Sequence, residues 1–221
     1  MCIRDRPEDD ISIFAPLAVA LERRVCAPRY RRAPEHPFPA GRDDVMAVYR
    51  GLTSDGSGVL VVGESAGGNL ALGLMLGAAN AGDLPLPKAV ALLSPWIDLS
   101  HGGDSHATLA YVDPTLSVPR QLGPAARAYA GGLPTASAEI SPLFAPMPSV
   151  ALPPTIICSA TRDLLLSDSL RLATKLSAHG THVELRVADG LWHVFEWYPH
   201  VPEAAESVQA IAAFLRECME G

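Results

Sequence analysis

The sequence predicts an α/β fold with a mostly parallel sheet flanked by helices. Three observations carry this. Short apolar runs of strand type alternate with helical periods along the chain. The segment VLVVGESAGG (Val59–Gly68) passes from an apolar run through a tight Gly-rich turn into the helix-forming run NLALGLML. The 20 prolines and 18 glycines are scattered, so they mark connections rather than a low-complexity tract.

The elements follow in order. Ile11 to Glu22 reads as a helix capped by Asp9 or Asp10. Arg24 to Ala27 reads as a short strand, followed by the Pro-rich loop APEHPFPA at Ala33 to Ala40. Asp43 to Leu52 is a helix, Gly58 to Val62 a strand, Asn69 to Ala81 a helix and Lys88 to Leu93 a strand. From about Ser100 to Ser149 the rhythm breaks into Gly, Pro, Ser and Ala, with one helical stretch around Val118 to Tyr129. So long an insertion in a compact domain is usually functional, a lid or binding element. Thr155 to Ser159 is a strand, Ser167 to Ala178 a helix, His182 to Val187 a strand and Glu203 to Met219 an amphipathic closing helix. No internal repeat is visible.

Length and composition narrow the function. A chain of 221 residues suits one domain with a substantial core. It is 48% hydrophobic and 19% charged, as soluble globular proteins are. A net charge of −7, with no basic cluster beyond Arg29, Arg31 and Arg32, argues against nucleic acid as a partner. No run reaches the ~18 apolar residues of a membrane span, and MCIRDRPEDD has no apolar core of a signal peptide. Cys2, Cys26, Cys158 and Cys218 form no CxxC pair. Cys26 and Cys158 lie in apolar runs and read as small buried hydrophobes, which points to a reducing cytoplasm.

The turn at Gly63 to Gly68 carries the chemistry. Strand, Gly-x-Ser-x-Gly, then helix is the signature of a nucleophile elbow, which holds a serine above a sheet with a helix N-terminus behind it. The bare pattern is weak in a Gly-rich chain; its flanking strand and helix give it weight. A phosphate loop would need Lys where Asn69 stands, and no Gly-x-Gly-x-x-Gly is present.

A serine hydroxyl needs a base, and the base needs an orienting acid, in chain order Ser, acid, His. The histidines after Ser65 are His101, His106, His182, His193 and His200. His193 follows a predicted strand and a Gly-containing turn, at the end where active sites of parallel sheets gather. His182 starts a strand, His101 and His106 precede any suitable acid, and His200 follows Pro199 as a solvated loop residue. Asp163 follows the strand TIICSA. Its rival Asp168 lies one turn into the next helix, where a capping or dipole role suits it better, and Asp98 lies too early.

These residues sit in longer matching pieces: YRRAPEHPFPAGRDD (Tyr30–Asp44), GESAGGNLA (Gly63–Ala71), LLSPWIDLS (Leu92–Ser100), SPLFA (Ser141–Ala145), RDLLLSDS (Arg162–Ser169) and GLWHVFEWYP (Gly190–Pro199). In that order, from about Val25 to Leu215, the chain resembles the hormone-sensitive-lipase-like esterases, bacterial family IV of the α/β-hydrolases. The resemblance implies the α/β-hydrolase fold, with Ser65 as nucleophile, Asp163 as orienting acid and His193 as base. It implies that residues 100–145 contribute to a cap over the acyl pocket. The expected reaction is hydrolysis of short- to medium-chain acyl esters, with no metal or cofactor and with the Ala66 N–H as an oxyanion donor. Trp96, Trp192 and Phe195 are candidate pocket residues, as is Trp197; each suits ordinary core as well. By the same analogy the closing helix is a candidate homodimer surface.

The departures matter. Arg29 stands where the family has Asp, Arg32 where it has Leu, and Leu191-Trp192 replace the usual turn before the histidine. The family's His-Gly-Gly-Gly stretch, the source of most of its oxyanion hole, is absent; His101-Gly102-Gly103 lies on the wrong side of the nucleophile. Counting back from Tyr30, that stretch would fall just before Met1, and the first strands of the family's sheet are missing with it. Residues 1–6, MCIRDR, resemble translated adapter sequence, so the expectation is a truncated chain of weak or no activity. A lactonase or amidase of the same fold, and a non-catalytic ligand-binding relative, remain compatible with the sequence.

Overall fold

Four strands lie side by side in chain order and position everything else: β1 (Leu60–Glu64), β2 (Ala89–Leu93), β3 (Thr155–Ala160) and β4 (Val183–Ala188). A computed structural model describes residues 10–220. All three pairings are parallel, with Leu60 opposite Ala89, Val90 opposite Thr155 and Thr155 opposite Val183. The helices are α1 (Ile11–Leu21), α2 (Ala40–Leu52), α3 (Ser65–Ala81), α4 (Ser105–Thr108), α5 (Gly123–Ala130), α6 (Leu166–Ala178) and α7 (Pro202–Glu220). α3 links β1 to β2 and α6 links β3 to β4, the crossovers a parallel sheet requires.

Strand alternation divides the core into two layers. Ala89, Ala91, Leu93, Ile156 and Cys158 face Ile13 and Leu17 of α1 and Ile211 and Phe214 of α7. Val90, Leu92 and Ile157 face the other way, onto Leu72 and Met75 of α3 and Leu172 and Leu176 of α6. β2 and β3 are buried along their whole length. Each fully buried Leu or Ile contributes roughly 1.5–3 kcal/mol. β4 is an edge strand with Leu185 and Val187 partly in water, and among the described residues nothing pairs with the outer edge of β1. α7 spends its apolar stripe on this core, burying Val208, Ile211, Phe214 and Leu215. Among the described residues no helix is long and apolar enough to cross a membrane.

Three expectations are corrected. Residues 24–27 form no strand: Val25 is 49% exposed and Cys26 is exposed. Glu22, left-handed at φ 52°, ends α1, and the run of three apolar residues Val25–Ala27 beyond it meets no neighbouring strand. Pairing, not local propensity, makes a strand. Cys26 is therefore no core residue, whereas Cys158 is. Asp10 does hold the N-cap position of α1, but its carboxylate accepts the Trp197 Nε1–H at 2.8 Å instead of capping. Asp9, Cys2 and residues 1–6 lie outside the described residues.

Two boundaries move for physical reasons. α2 begins at Ala40, directly after the prolines of the 33–40 loop. α3 begins at Ser65 itself, because Gly67 and Gly68 lie in its first turn rather than in a loop before it.

Candidate functional site

Ser65 sits where β1 ends and α3 begins, at φ 48°. A left-handed backbone at a residue with a Cβ costs roughly 1–2 kcal/mol, so packing must hold it. A Cβ on Gly63 would lie 2.5 Å from the Gly67 carbonyl oxygen, and one on Gly68 would lie 2.7 Å from Pro95 Cβ. A Cβ on Gly67 would meet nothing within 4 Å. The close approaches that shape the turn are thus at Gly63 and Gly68. The second glycine of the sequence pattern, Gly67, is not one of them. Trp96 N–H closes the turn from the next strand by donating to the Ser65 carbonyl at 2.9 Å.

His193 and Asp163 meet Ser65 at the carboxyl ends of the strands. His193 Nε2 is 3.0 Å from Ser65 Oγ, and its Nδ1 is 3.1 Å from Asp163 Oδ1. An ionised carboxylate only accepts, so Nδ1 carries the proton and Nε2 is free to accept from the serine. His193 and Asp163 are buried, and Ser65 is half-buried. Asp163 accepts further bonds from Leu165 N–H at 2.9 Å and Ser159 Oγ at 3.0 Å. Burial opposes its charge, but the His193 ring and these donors outweigh burial and hold its proton affinity below the ordinary carboxylate value.

The loops bearing Asp163 and His193 are tied together. Arg162 N–H donates to the Leu191 carbonyl at 3.0 Å, and Thr161 Oγ1 accepts from Gly190 N–H at 2.8 Å. Val194, next to His193, is left-handed at φ 44° and donates its N–H to Ser94 Oγ at 3.1 Å; Ser94 is itself left-handed at φ 45°. Strained backbone thus gathers at Ser65, Ser94 and Val194, around one site.

The 100–145 stretch packs over this end of the sheet. Leu122, Ala126 and Tyr129 share a cluster with Ala66, Leu70, Trp96, Leu164 and Leu165. Asp113 Oδ2 accepts the Leu164 N–H at 2.8 Å, and Ser105 Oγ donates to the Leu164 carbonyl at 2.8 Å. Asp168 does not serve its own helix. It is fully buried and accepts the Ile97 and Asp98 N–H groups at 2.9 and 2.8 Å, with His106 Nε2 3.4 Å away. Asp98 is buried too and takes Arg171 at 2.6 Å. Both rival acids therefore brace loops and do not reach His193 by a hydrogen bond.

Of the other histidines, His182 stacks on Phe214, His200 is exposed, and His101 and His106 lie against each other inside the insertion. Trp96 and Phe195 are buried, and Trp192 is half-buried with its edge on Tyr198. A cavity of about 180 Å³ opens elsewhere, between α2, α3 and α5, and is lined by Arg42, Asn69, Gly73, Tyr129 and Glu139 but not by Ser65, Asp163 or His193. Ser94, Ser105, Asp113 and Ser159 escape sequence reading, since serines and a loop aspartate carry no distinguishing spacing.

Residues 3–197 match the family model described as the alpha/beta hydrolase fold. The chain belongs to this family. Within it, the chain falls among the bacterial hormone-sensitive-lipase esterases. It is 34% identical to a solved esterase of that family with a TM-score of 0.87, covering 94% of this chain and 70% of the other. An acetyl-hydrolase of Streptomyces hygroscopicus is 33% identical over 95% of this chain and 70% of its own length. An esterase of Acinetobacter venetianus is 28% identical over 92% and 69%. The chain thus spans about 70% of the length of these hydrolase-fold relatives.

Proposed function

We propose that this α/β hydrolase cleaves carboxylic esters of short- to medium-chain acids through an acyl-enzyme on Ser65. The carrying observation is the continuous hydrogen-bond path from Ser65 Oγ through His193 to Asp163. His193 Nε2 takes the serine proton as Oγ attacks the ester carbonyl, and the imidazolium then returns it to the leaving alcohol. Water, activated by the same nitrogen, releases the acid. Asp163 keeps the ring in the tautomer that leaves Nε2 free and stabilises its positive charge. The Ala66 N–H lies in the first turn of α3, where helix amides have no partner within the helix, and it faces developing oxyanion charge with the helix dipole behind it. The 100–145 stretch acts as the cap on the acyl side, supported by its packing against Trp96 and Leu164.

The test is labelling by a fluorophosphonate probe together with hydrolysis of p-nitrophenyl acetate and butyrate. With the His-Gly-Gly-Gly stretch absent from the sequence, turnover of the native chain is expected to be weak, and any labelling is expected at one serine. Ser65→Ala should abolish labelling and lower any ester turnover by at least about 10³-fold. Labelling that persists in Ser65→Ala removes the nucleophile from this mechanism.

A further inference from the structure

The loop that leaves β2 touches each part of the Ser65 site. Trp96 N–H donates to the Ser65 carbonyl at 2.9 Å, and Pro95 lies against Gly68 in the same turn. Ser94 N–H donates to the Cys158 carbonyl at 2.7 Å, on the strand that leads to Asp163. The Ser94 side chain reaches the third part. Its Oγ accepts the Val194 N–H at 3.1 Å, one residue beyond His193. Ser94 is buried, so this hydroxyl stands in for water as the partner of a buried amide. The same hydroxyl is among the groups that, after the His193 ring, outweigh burial and favour the Asp163 carboxylate. Both ends of the Ser94–Val194 bond are left-handed, at φ 45° and 44°. For valine, a β-branched residue, that conformation is rare, and it persists only where the surroundings over-determine it.

We propose that Ser94 is a positioning residue, whose hydroxyl takes the Val194 amide and so fixes the backbone that aims the His193 ring at both Ser65 and Asp163. The proposal rests on His193 being the base of Ser65. The ring has little tolerance: Nε2 is 3.0 Å from Ser65 Oγ and Nδ1 is 3.1 Å from Asp163 Oδ1. Moving it by about 1 Å breaks one bond or the other. Two things could hold it. The Val194 side chain is buried in the layer of α1 and α7, which fixes where the residue sits. Burial of an apolar side chain does not fix how the peptide between His193 and Val194 is turned. The hydrogen bond to Ser94 does. Without that acceptor the buried N–H is orphaned, so the peptide rotates out of its strained conformation to find another partner. His193 shares that peptide and turns with it.

The experiment compares Ser94→Ala and Ser94→Gly with the native full chain. Nitrogen NMR of the His193 ring at about pH 9, above the ordinary imidazole range, shows which ring nitrogen carries the proton. The rate of fluorophosphonate labelling at Ser65 is read alongside. Both variants lack the hydroxyl, but alanine keeps the left-handed strain and glycine relieves it. A role in backbone shape alone would leave Ser94→Gly close to native. The proposal instead expects both variants to lose Nδ1–H relative to Nε2–H by roughly three- to tenfold, the worth of one hydrogen bond. Any labelling should slow by roughly ten- to hundredfold in both, as misplacement of a reacting group does. Ser94→Gly should show these losses even if it melts at or above Ser94→Ala. A tautomer ratio in Ser94→Gly within about twofold of native overturns the proposal. If Ser94→Ala fails to fold, Ser94→Gly decides alone. If neither folds, hydrogen exchange in the native chain decides: the Val194 amide should be as protected as the amides of β2 and β3, and exchange as fast as in exposed loops overturns the proposal. A native chain whose His193 holds the Nδ1–H tautomer but never labels at Ser65 counts against the esterase reading and not against the placement of the ring by Ser94.

Discussion

Alanine at Gly68 and alanine at Gly67 should have opposite effects, although the two glycines are neighbours in one helical turn. At Gly68 a Cβ would lie 2.7 Å from Pro95 Cβ and 2.9 Å from Pro95 Cα. Pro95 cannot withdraw easily, because the next residue, Trp96, is buried and bonded to the Ser65 carbonyl at 2.9 Å. Overpacking of this kind costs about 1–3 kcal/mol. At Gly67 the Cβ meets nothing within 4 Å. Alanine gains about 1 kcal/mol over glycine as a helix former at either position, so that term cancels between the two variants. The difference left is about 1–3 kcal/mol, or roughly 3–10 °C in melting temperature for a chain of this size. Scanning calorimetry on the two variants measures it. Gly68→Ala should also label more slowly with fluorophosphonate, since the shifted Pro95 drags the contact that closes the elbow. Equal melting of the two variants, within about 1 °C, refutes the steric account of the turn.

Asp163→Asn should cut Ser65 labelling by about 10³–10⁴-fold, because an amide no longer enforces the productive His193 tautomer; a loss below tenfold in the labelling rate would exclude Asp163 as the orienting acid. Asp163 has a depressed proton affinity when folded, so its contribution to stability is present above the unfolded carboxylate pKa and lost as pH falls below it. Asp163→Asn should therefore flatten the acid limb of a melting-temperature profile. Asp168 is the opposite case, pushed up to about 8 by burial despite its two N–H bonds. Its raised value favours the fold most below about pH 4 and progressively less as pH rises to about 8. The stability gap between native protein and Asp168→Asn, read by calorimetry, should narrow from pH 5 to pH 8. Maleimide should label Cys26 in the folded chain, and Cys158, whose thiol burial pushes well up, only after denaturation; peptide mapping by mass spectrometry reads both.

The sequence by itself determined the α/β alternation, the four strands and the turn at Ser65, and it offered Ser65, Asp163 and His193 as candidates that the fold then brings within hydrogen-bond distance. Those signals are local: an apolar run, a helical period, small residues around a serine, and an acid and a histidine each placed just after a strand. Tertiary structure alone decided the rest. Residues 24–27 have a strand's composition and no strand beside them, so they form no strand and Arg24, Val25 and Cys26 stay exposed. Gly67 and Gly68 are equivalent in sequence and differ only because Pro95, from the next strand's loop, lies against one of them. Asp168 looks like a helix-end residue but is claimed by the backbone of Ile97 and Asp98 across the sheet end. Glu196 is an ordinary loop glutamate until α7 closes over it and Ser207 becomes its partner. In each case the deciding contact joins segments far apart in the chain, and neither spacing nor propensity encodes which distant group will arrive.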